Sequence, residues 1–234
     1  MTQQRPSLDL PDVGGLSIGI LGGTGDQGNG LARRFALAGH EVIIGSRRAE
    51  RAESAAAELA AGLGAAGPGL VRGAENAAAA RASDVVIVAV PWEGHLATLE
   101  SVRDELAGKI VIDCVNPIGF DKRGAYPLPV EEGSAAEQAA AVLPGSRVVA
   151  AFHHVSAVLL LDPEVGEVDL DVLVLGDDRE ATDLVCALAN RIPGMRGVYA
   201  GRLRNAGQIE ALTANLISIN RRYKAHAGFR VTDV

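Results

Sequence analysis

An apolar stretch at residues 16–21 runs directly into Gly22-Gly23-Thr24-Gly25-Asp26-Gln27-Gly28, and a helical pattern follows with Leu31, Phe35 and Ala38 on one face. A strand, a G-x-G-x-x-G loop and a helix in that order limit a chain to very few folds. The short apolar run fits a strand buried on both faces of a parallel sheet. Gly23 permits the tight turn, Gly25 lets backbone approach a pyrophosphate, and Gly28 allows close helix–sheet packing. The helix start adds unpaired amides and a partial positive charge, so residues 23–28 are expected to hold a dinucleotide.

The rest of the chain continues that rhythm. Strands are expected at 41–45, 84–90, 109–113 and 147–152, and helices at 49–63 and 96–106. Ser134 and Glu137 form a capping box that opens a further helix, which ends near Pro144-Gly145. Strands alternating with helices imply parallel pairing through right-handed crossovers, hence an α/β fold with a Rossmann-type doubly wound sheet. After residue 152 the rhythm changes. A strand at 171–175, a helix at 177–191 with an Asp177…Glu180 box and a short strand at 197–200 precede a long helix at 203–223. The apolar stripe of that helix is Ile209, Leu212, Leu216, Ile219 and Tyr223. The expected organisation is a flexible extension at 1–15, a dinucleotide-binding Rossmann domain at 16–152, and a smaller C-terminal α/β domain at 153–234 ending in the long helix.

Other classes are disfavoured. The 234 residues are 48% hydrophobic, enough for a sizeable core, yet no apolar run reaches the roughly 20 residues that span a bilayer. The polar first 15 residues, with Pro6 and Pro11, lack the apolar centre of a signal peptide. Two cysteines, Cys114 and Cys186, support neither a disulfide framework nor a four-thiolate zinc site, and a reducing cytoplasm is expected. A net charge of −7 argues against nucleic acid as a partner. That charge is uneven: residues 201–234 hold six Lys and Arg against two acids, a net of +4. The segment is either a site for an anionic ligand or a solvated helix face.

The end of the second strand selects the nucleotide. NAD sites usually carry an acid about 20 residues on, which binds the ribose hydroxyls. Here the chain reads Gly45-Ser46-Arg47-Arg48. Ser46 can donate to a 2′-phosphate, Arg47 can stack on adenine while its fork binds phosphate oxygens, and Arg51 lies one turn later. Thr24 can reach the same phosphate from the loop. NADP is therefore the expected cofactor, the bland alternative being a solvated helix start.

Ligands in such sheets lie beyond the carboxyl ends of the strands. Val90-Pro91-Trp92 stands at one such end; Trp92 either walls the nicotinamide ribose or plugs the sheet–helix junction. Asn116, before Pro117, either binds a carboxamide or carbonyl or orders its turn. His153 and His154 end the strand at 147–152, and adjacent residues of an extended chain point opposite ways. His153 is the catalytic candidate facing the cleft, where an imidazole can hold a developing anion. There is no Ser-His-Asp order, no zinc spacing and no Tyr-x-x-x-Lys pair. A hydride acceptor needing little acid–base help fits that absence.

Taken together, GILGGTGDQGNGLA (19–32), HEVIIGSRR (40–48), VPWEG (90–94), SAAE (134–137), the His153 region, LGDD (175–178) and LRNAGQIEALT (203–213) resemble the NADPH-dependent reductases of the deazaflavin coenzyme F420. The match runs over about residues 16–225. The resemblance implies hydride exchange between nicotinamide C4 and deazaflavin C5, NADP(H) and coenzyme F420 as partners, and a homodimer. It implies that Thr24, Gly25, Asp26, Gln27, Ser46, Arg47 and Arg51 bind NADP, with Val90, Trp92 and Ala157 nearer the nicotinamide, where Pro91 fixes the backbone and helps exclude water. Asn116, His153, Arg204 and Arg222 are then expected on the deazaflavin side, the arginines facing its anionic tail. Two features depart from the family: the 15-residue lead-in, and Ser156 where proline is frequent. The alternatives are reduction of a flavin, a ferric chelate or a cyclic imine, or a non-catalytic NADP redox sensor.

Overall fold

A computed structural model describes residues 9–64 and 69–234. Of the flexible lead-in expected at residues 1–15, residues 1–8 lie outside the described residues. Within 9–15, Val13 is buried and Leu10 packs against the core.

The first half is β1 (Ile18–Leu21), α1 (Asp26–Leu37), β2 (Val42–Ser46), α2 (Ala49–Gly62), β3 (Val71–Glu75), α3 (Asn76–Ala82), β4 (Val85–Val88), α4 (His95–Ser101), α5 (Arg103–Leu106) and β5 (Ile110–Asp113). A hairpin follows, β6 (Ile118–Asp121) and β7 (Gly124–Pro127), then α6 (Ala135–Val142) and β8 (Arg147–Ala150). The remainder is α7 (Ala157–Leu161), β9 (Leu170–Gly176), α8 (Arg179–Asn190), β10 (Met195–Gly201) and α9 (Ala206–Tyr223).

Eight strands form one sheet in the order β3-β2-β1-β4-β5-β8-β9-β10. The first six are parallel, the doubly wound order expected of a dinucleotide fold. β9 pairs antiparallel with β8, and β10 parallel with β9, so the C-terminal segment extends the same sheet with reversed direction. Central strands are buried on both faces: Ile18 and Ile20 feed one apolar layer, Leu21 and Ile43 the other.

Several elements depart from the sequence expectation. α1 begins at Asp26, two residues before Gly28. β3 and α3 were not anticipated, because Val-Arg-Gly-Ala-Glu has neither a continuous apolar run nor alternation. The helix expected at 96–106 is two helices, interrupted at Val102. α8 is capped by Asp178, whose carboxylate accepts the Ala181 amide at 2.8 Å, rather than by Asp177. In the Ser134 box the hydroxyl accepts the Glu137 amide and donates to the Glu137 carboxylate, so the reciprocal bond runs side chain to side chain. The α9 stripe is covered only in part: Leu216 is buried, whereas Ile219 and Tyr223 are exposed.

Two clamps hold the C-terminal half in place. Buried Arg34 on α1 donates to the carbonyls of Leu159, Leu160, Asp162 and Val165 around α7. Asp171 on β9 is fully buried and accepts from Arg196, Arg230 and the Val231 amide, which fastens the final residues across the sheet. Two of the C-terminal cations are therefore committed internally: Arg230 to Asp171 and Asp169, and Arg202 to Asp177.

Candidate active site

A cleft of about 1400 Å³ opens along the carboxyl ends of the parallel strands, lined from Thr24 and Arg51 at one end to His153 and Thr213 at the other. Its floor is the turn from β1 into α1. Gly22 has φ +70°, and a Cβ there would stand 2.6 Å from Val90 Cγ1. The left-handed turn residue is thus Gly22, not Gly23 as the spacing suggested. Gly23 is held by packing instead: its Cβ would meet the Ile20 carbonyl at 2.9 Å. A Cβ on Gly28 would meet Gly23 Cα at 2.7 Å, so α1 lies directly on the turn. Gly25 is different, with only the Gly22 carbonyl at 3.7 Å. That opening, with no side-chain cap on α1, leaves the first-turn amides facing the cleft.

Ser46 ends β2 at the cleft wall, with Arg47, Arg48 and Arg51 beside it. None of the three guanidinium groups has a hydrogen-bond or ion-pair partner among the described residues. Three exposed cations crowded together outnumber the acid on this wall and favour an anion from outside. Glu75 and Asn76, from the unanticipated β3–α3 junction, complete this end. Asn76 is buried and its Oδ1 has no hydrogen-bond partner among the described residues.

The opposite end is drier. Val90, Pro91, Cys114, Val115, Asn116, His153, Val155 and Thr213 line it. The chain reaches His153 through Phe152, a fully buried residue at φ +64°. A bulky side chain in the left-handed region is strained and persists only when its surroundings impose it. The Phe152 carbonyl accepts from Gln27 Nε2 at 3.2 Å, which ties this kink to the glycine loop. The kink turns His153 into the cavity lining, whereas His154 points away, with Nε2 at 2.8 Å from the Asp171 carbonyl and its ring on Phe229.

His153 is buried with the Val115 and Cys114 backbone groups beside its ring, and neither ring nitrogen makes a well-aligned hydrogen bond among the described residues. Burial lowers its pKa to about 4, outweighing the raising influence of Asp113. The ring is therefore neutral near pH 7, a polar contact rather than a charge. Burial likewise pushes the Cys114 thiol well up, so it is no nucleophile.

Not every expected residue faces the cleft. Trp92 rests on His95, ring centroids 5.5 Å apart, and packs into the core rather than lining the cavity. Ala157 begins α7 outside the lining, and Arg204 and Arg222 are exposed beyond it. Asn116 lines the cavity while donating to the His153 carbonyl at 2.8 Å, so it orders the wall it belongs to. Sequence reasoning did not single out Arg48, Glu75, Asn76, Thr98, Ser101 or Thr213. Arg48 and Thr213 lay within quoted motifs, whereas Glu75 and Asn76 carried no signal without β3.

A family profile described as NADP oxidoreductase, coenzyme F420-dependent, matches residues 17–117. The F420-dependent NADP reductase of Methanothermobacter marburgensis is 45% identical over 224 residues, covering 94% of this chain and 99% of that protein. That of Methanocaldococcus jannaschii is 42% identical over 224 residues, again 94% and 99%. A crystal structure from Arthrobacter sp. FB24, provisionally assigned as an F420-dependent NADP reductase, aligns with a TM-score of 0.78 at 28% identity, covering 93% of this chain and all of that one.

The neutral state of His153 is measurable. NMR titration should place its imidazole near pH 4 rather than 6.5. The unfolded chain binds this proton below 6.5 while the folded chain does so only near 4. Wild type should therefore lose stability relative to His153→Gln as pH falls through that window, and the gap should be flat above it. A folded-state value near 6.5 would contradict the burial argument.

Proposed function

The chain belongs to the coenzyme F420-dependent NADP oxidoreductases, and from that premise we propose that this one cleft takes both coenzymes. It catalyses hydride exchange between NADPH and coenzyme F420, giving NADP⁺ and reduced F420, and runs in either direction. When bound, the two coenzymes supply all the redox chemistry: one hydride moves between nicotinamide C4 and deazaflavin C5. The protein's part is placement.

The cleft suits an NADP-sized ligand. Gly25 leaves room for a pyrophosphate over the α1 amides, a site that needs no side-chain charge. Ser46, Arg47 and Arg51, with Arg48 beside them, would hold the 2′-phosphate, three cations against the single Glu75 carboxylate on that wall. Val90, Pro91, Asn116 and His153 would bound the nicotinamide end, with the deazaflavin ring against it. Trp92 and Ala157 would act from behind, supporting Pro91 and the α7 turn. Arg204 and Arg222 would meet the tail of the second coenzyme only outside the cavity. The Rossmann portion at 16–152 would thus carry NADP(H), and residues 153–234 would complete the second site. The single observation carrying this reading is the polarity of one continuous cavity: three unpaired arginines at one end, a dry wall with a neutral imidazole at the other.

Such a site needs no strong base. Holding two flat rings at contact distance converts a bimolecular step into a local one, and apolar walls exclude the water that would separate them. Mixing purified protein, NADPH and F420 should bleach the deazaflavin absorbance with saturable dependence on both. No turnover with F420 alongside turnover with a flavin or cyclic imine would overturn the acceptor assignment.

Ser46→Ala with Arg47→Ala should weaken NADPH by about 1.5–3 kcal/mol for each lost charge-assisted bond while leaving NADH nearly unchanged. Equal loss for both nucleotides, read by titration, would remove the 2′-phosphate assignment.

A homodimer is also proposed. α9 packs on β7, and together with β6 they expose Phe120, Tyr126, Ile219 and Tyr223, a concentration of apolar surface unusual for a monomer. Sedimentation should give a dimer that Ile219→Glu with Tyr223→Glu converts to monomer; a wild-type monomer would exclude it.

A further inference from the structure

Behind the dry end of the cleft lies a buried polar circuit that the hydride-exchange reading does not itself use. His95 on α4 and Asp113 at the end of β5 are both completely buried and meet at 2.6 Å, Nε2 to Oδ2. The other ring nitrogen, Nδ1, is 2.9 Å from Gln138 Oε1 on α6. Gln138 Nε2 is already committed to the Glu132 carboxylate at 3.2 Å. The amide oxygen must therefore face His95 and accept from Nδ1–H, which leaves Nε2 to share a proton with the Asp113 carboxyl. Burial opposes a charge on the ring, but Asp113, helped by Gln138 and Glu210, outweighs it and raises the His95 pKa.

From Asp113 the circuit turns towards the cleft. Its Oδ1 accepts the Val115 amide at 3.0 Å, fixing the turn that carries Asn116. Asn116 donates to the His153 carbonyl at 2.8 Å, and Thr213 on α9 donates to the same oxygen at 3.2 Å. One turn earlier on α9, the buried Glu210 carboxylate accepts the Ala135 and Ala136 amides of α6 at 2.9 and 3.1 Å. Gln138, on the next residues of α6, returns to His95. Four elements and the strand end that bears His153 are joined in one closed loop, with two of its side chains, Asn116 and Thr213, facing the cleft.

We propose that His95 is a positioning residue for hydride transfer: clamped between Asp113 and Gln138, it holds the Val115–Asn116 turn, and through it the His153 wall, in register with the nicotinamide end of the cleft. Energetic reasoning favours such a role. Burying a His–Asp pair is a poor way to gain stability, since desolvation offsets most of any attraction. Its directional bonds fix geometry, and hydride transfer is sensitive to displacements of about 1 Å. His95 does not line the cavity, so its influence passes through Asp113 and the turn.

The inference rests on the hydride-exchange reading and is tested separately from it. In His95→Asn, NADPH affinity by fluorescence titration should stay within about twofold, because the phosphate end is untouched. The single-turnover rate with F420 should fall at least about tenfold, with the slowed step fully sensitive to deuterium at the NADPH C4 position. Gln138→Met, which opens the circuit outside the cleft, should act in the same direction by about threefold and guards against a misfolded first variant. An unchanged single-turnover rate in both variants, or affinity falling in parallel with rate, would overturn the positioning role. If wild type fails to reduce F420, the proposed function falls. The emission of bound NADPH then decides the inference: wild type should blue-shift the dihydronicotinamide fluorescence and His95→Asn should lose that shift, an equal shift in both overturning it.

Discussion

The approach of α1 to β1 governs everything downstream. Gly28 and Gly23 are so close that a single methyl would force the helix away from the turn. Only at that distance do the first amides of α1 point along the strand ends instead of into solvent. Gly22 turns left-handed and has no room for a side chain because Val90 stands against it, and Val90 begins the opposite wall of the cleft. The loop that would bind phosphate and the wall that would face the nicotinamide are therefore set by one packing contact. A substituent at any of these three glycines would move both ends of the site together.

The cavity separates two physical tasks along its length. At the arginine end, exposed charges keep their hydration until a ligand arrives, so attraction is long-ranged and sensitive to salt. At the His153 end there is little charge to screen, and what polarity remains is neutral. Affinity and reactivity could then be tuned separately, binding energy at the phosphates holding the rings together at the far end if the coenzymes lie as proposed. Cys114 fits that division, since burial holds its thiol protonated and inert beside the reacting groups.

The parts legible in the sequence were those whose signal is local. β1, α1 and β2 announce themselves by an apolar run, a glycine spacing and helical periodicity within 30 residues, and Ser46 to Arg51 follow directly. β3 was invisible because an edge strand half open to water has no reason to be uniformly apolar, and with it went Glu75 and Asn76. Trp92 could be read either as a wall or as a plug, and only its ring against His95 distinguishes them. The buried circuit was beyond reach for another reason. His95 and Asp113 are 18 residues apart, Gln138 is 43 from His95, and Glu210 is more than 70 from the amides it caps. No periodicity encodes such pairings; they exist only after the crossovers have brought the strand ends together.

Phe152 shows what that assembly accomplishes. Left alone, a phenylalanine would not adopt φ +64°, at a cost on the order of 1–3 kcal/mol. It is held there from three sides: its ring is buried edge-on against Phe35, its carbonyl is taken by Gln27, and the next carbonyl is taken by Asn116 and Thr213. Gln27 belongs to the glycine loop, Asn116 to the turn governed by Asp113, and Thr213 to the C-terminal helix. The strained residue is the point where the two halves of the chain meet around the cleft. A coenzyme pressing on the loop at one end would be felt at His153 through the same bonds. The geometry of the dry wall thus depends on the integrity of the whole frame, not on the handful of side chains that touch the cavity.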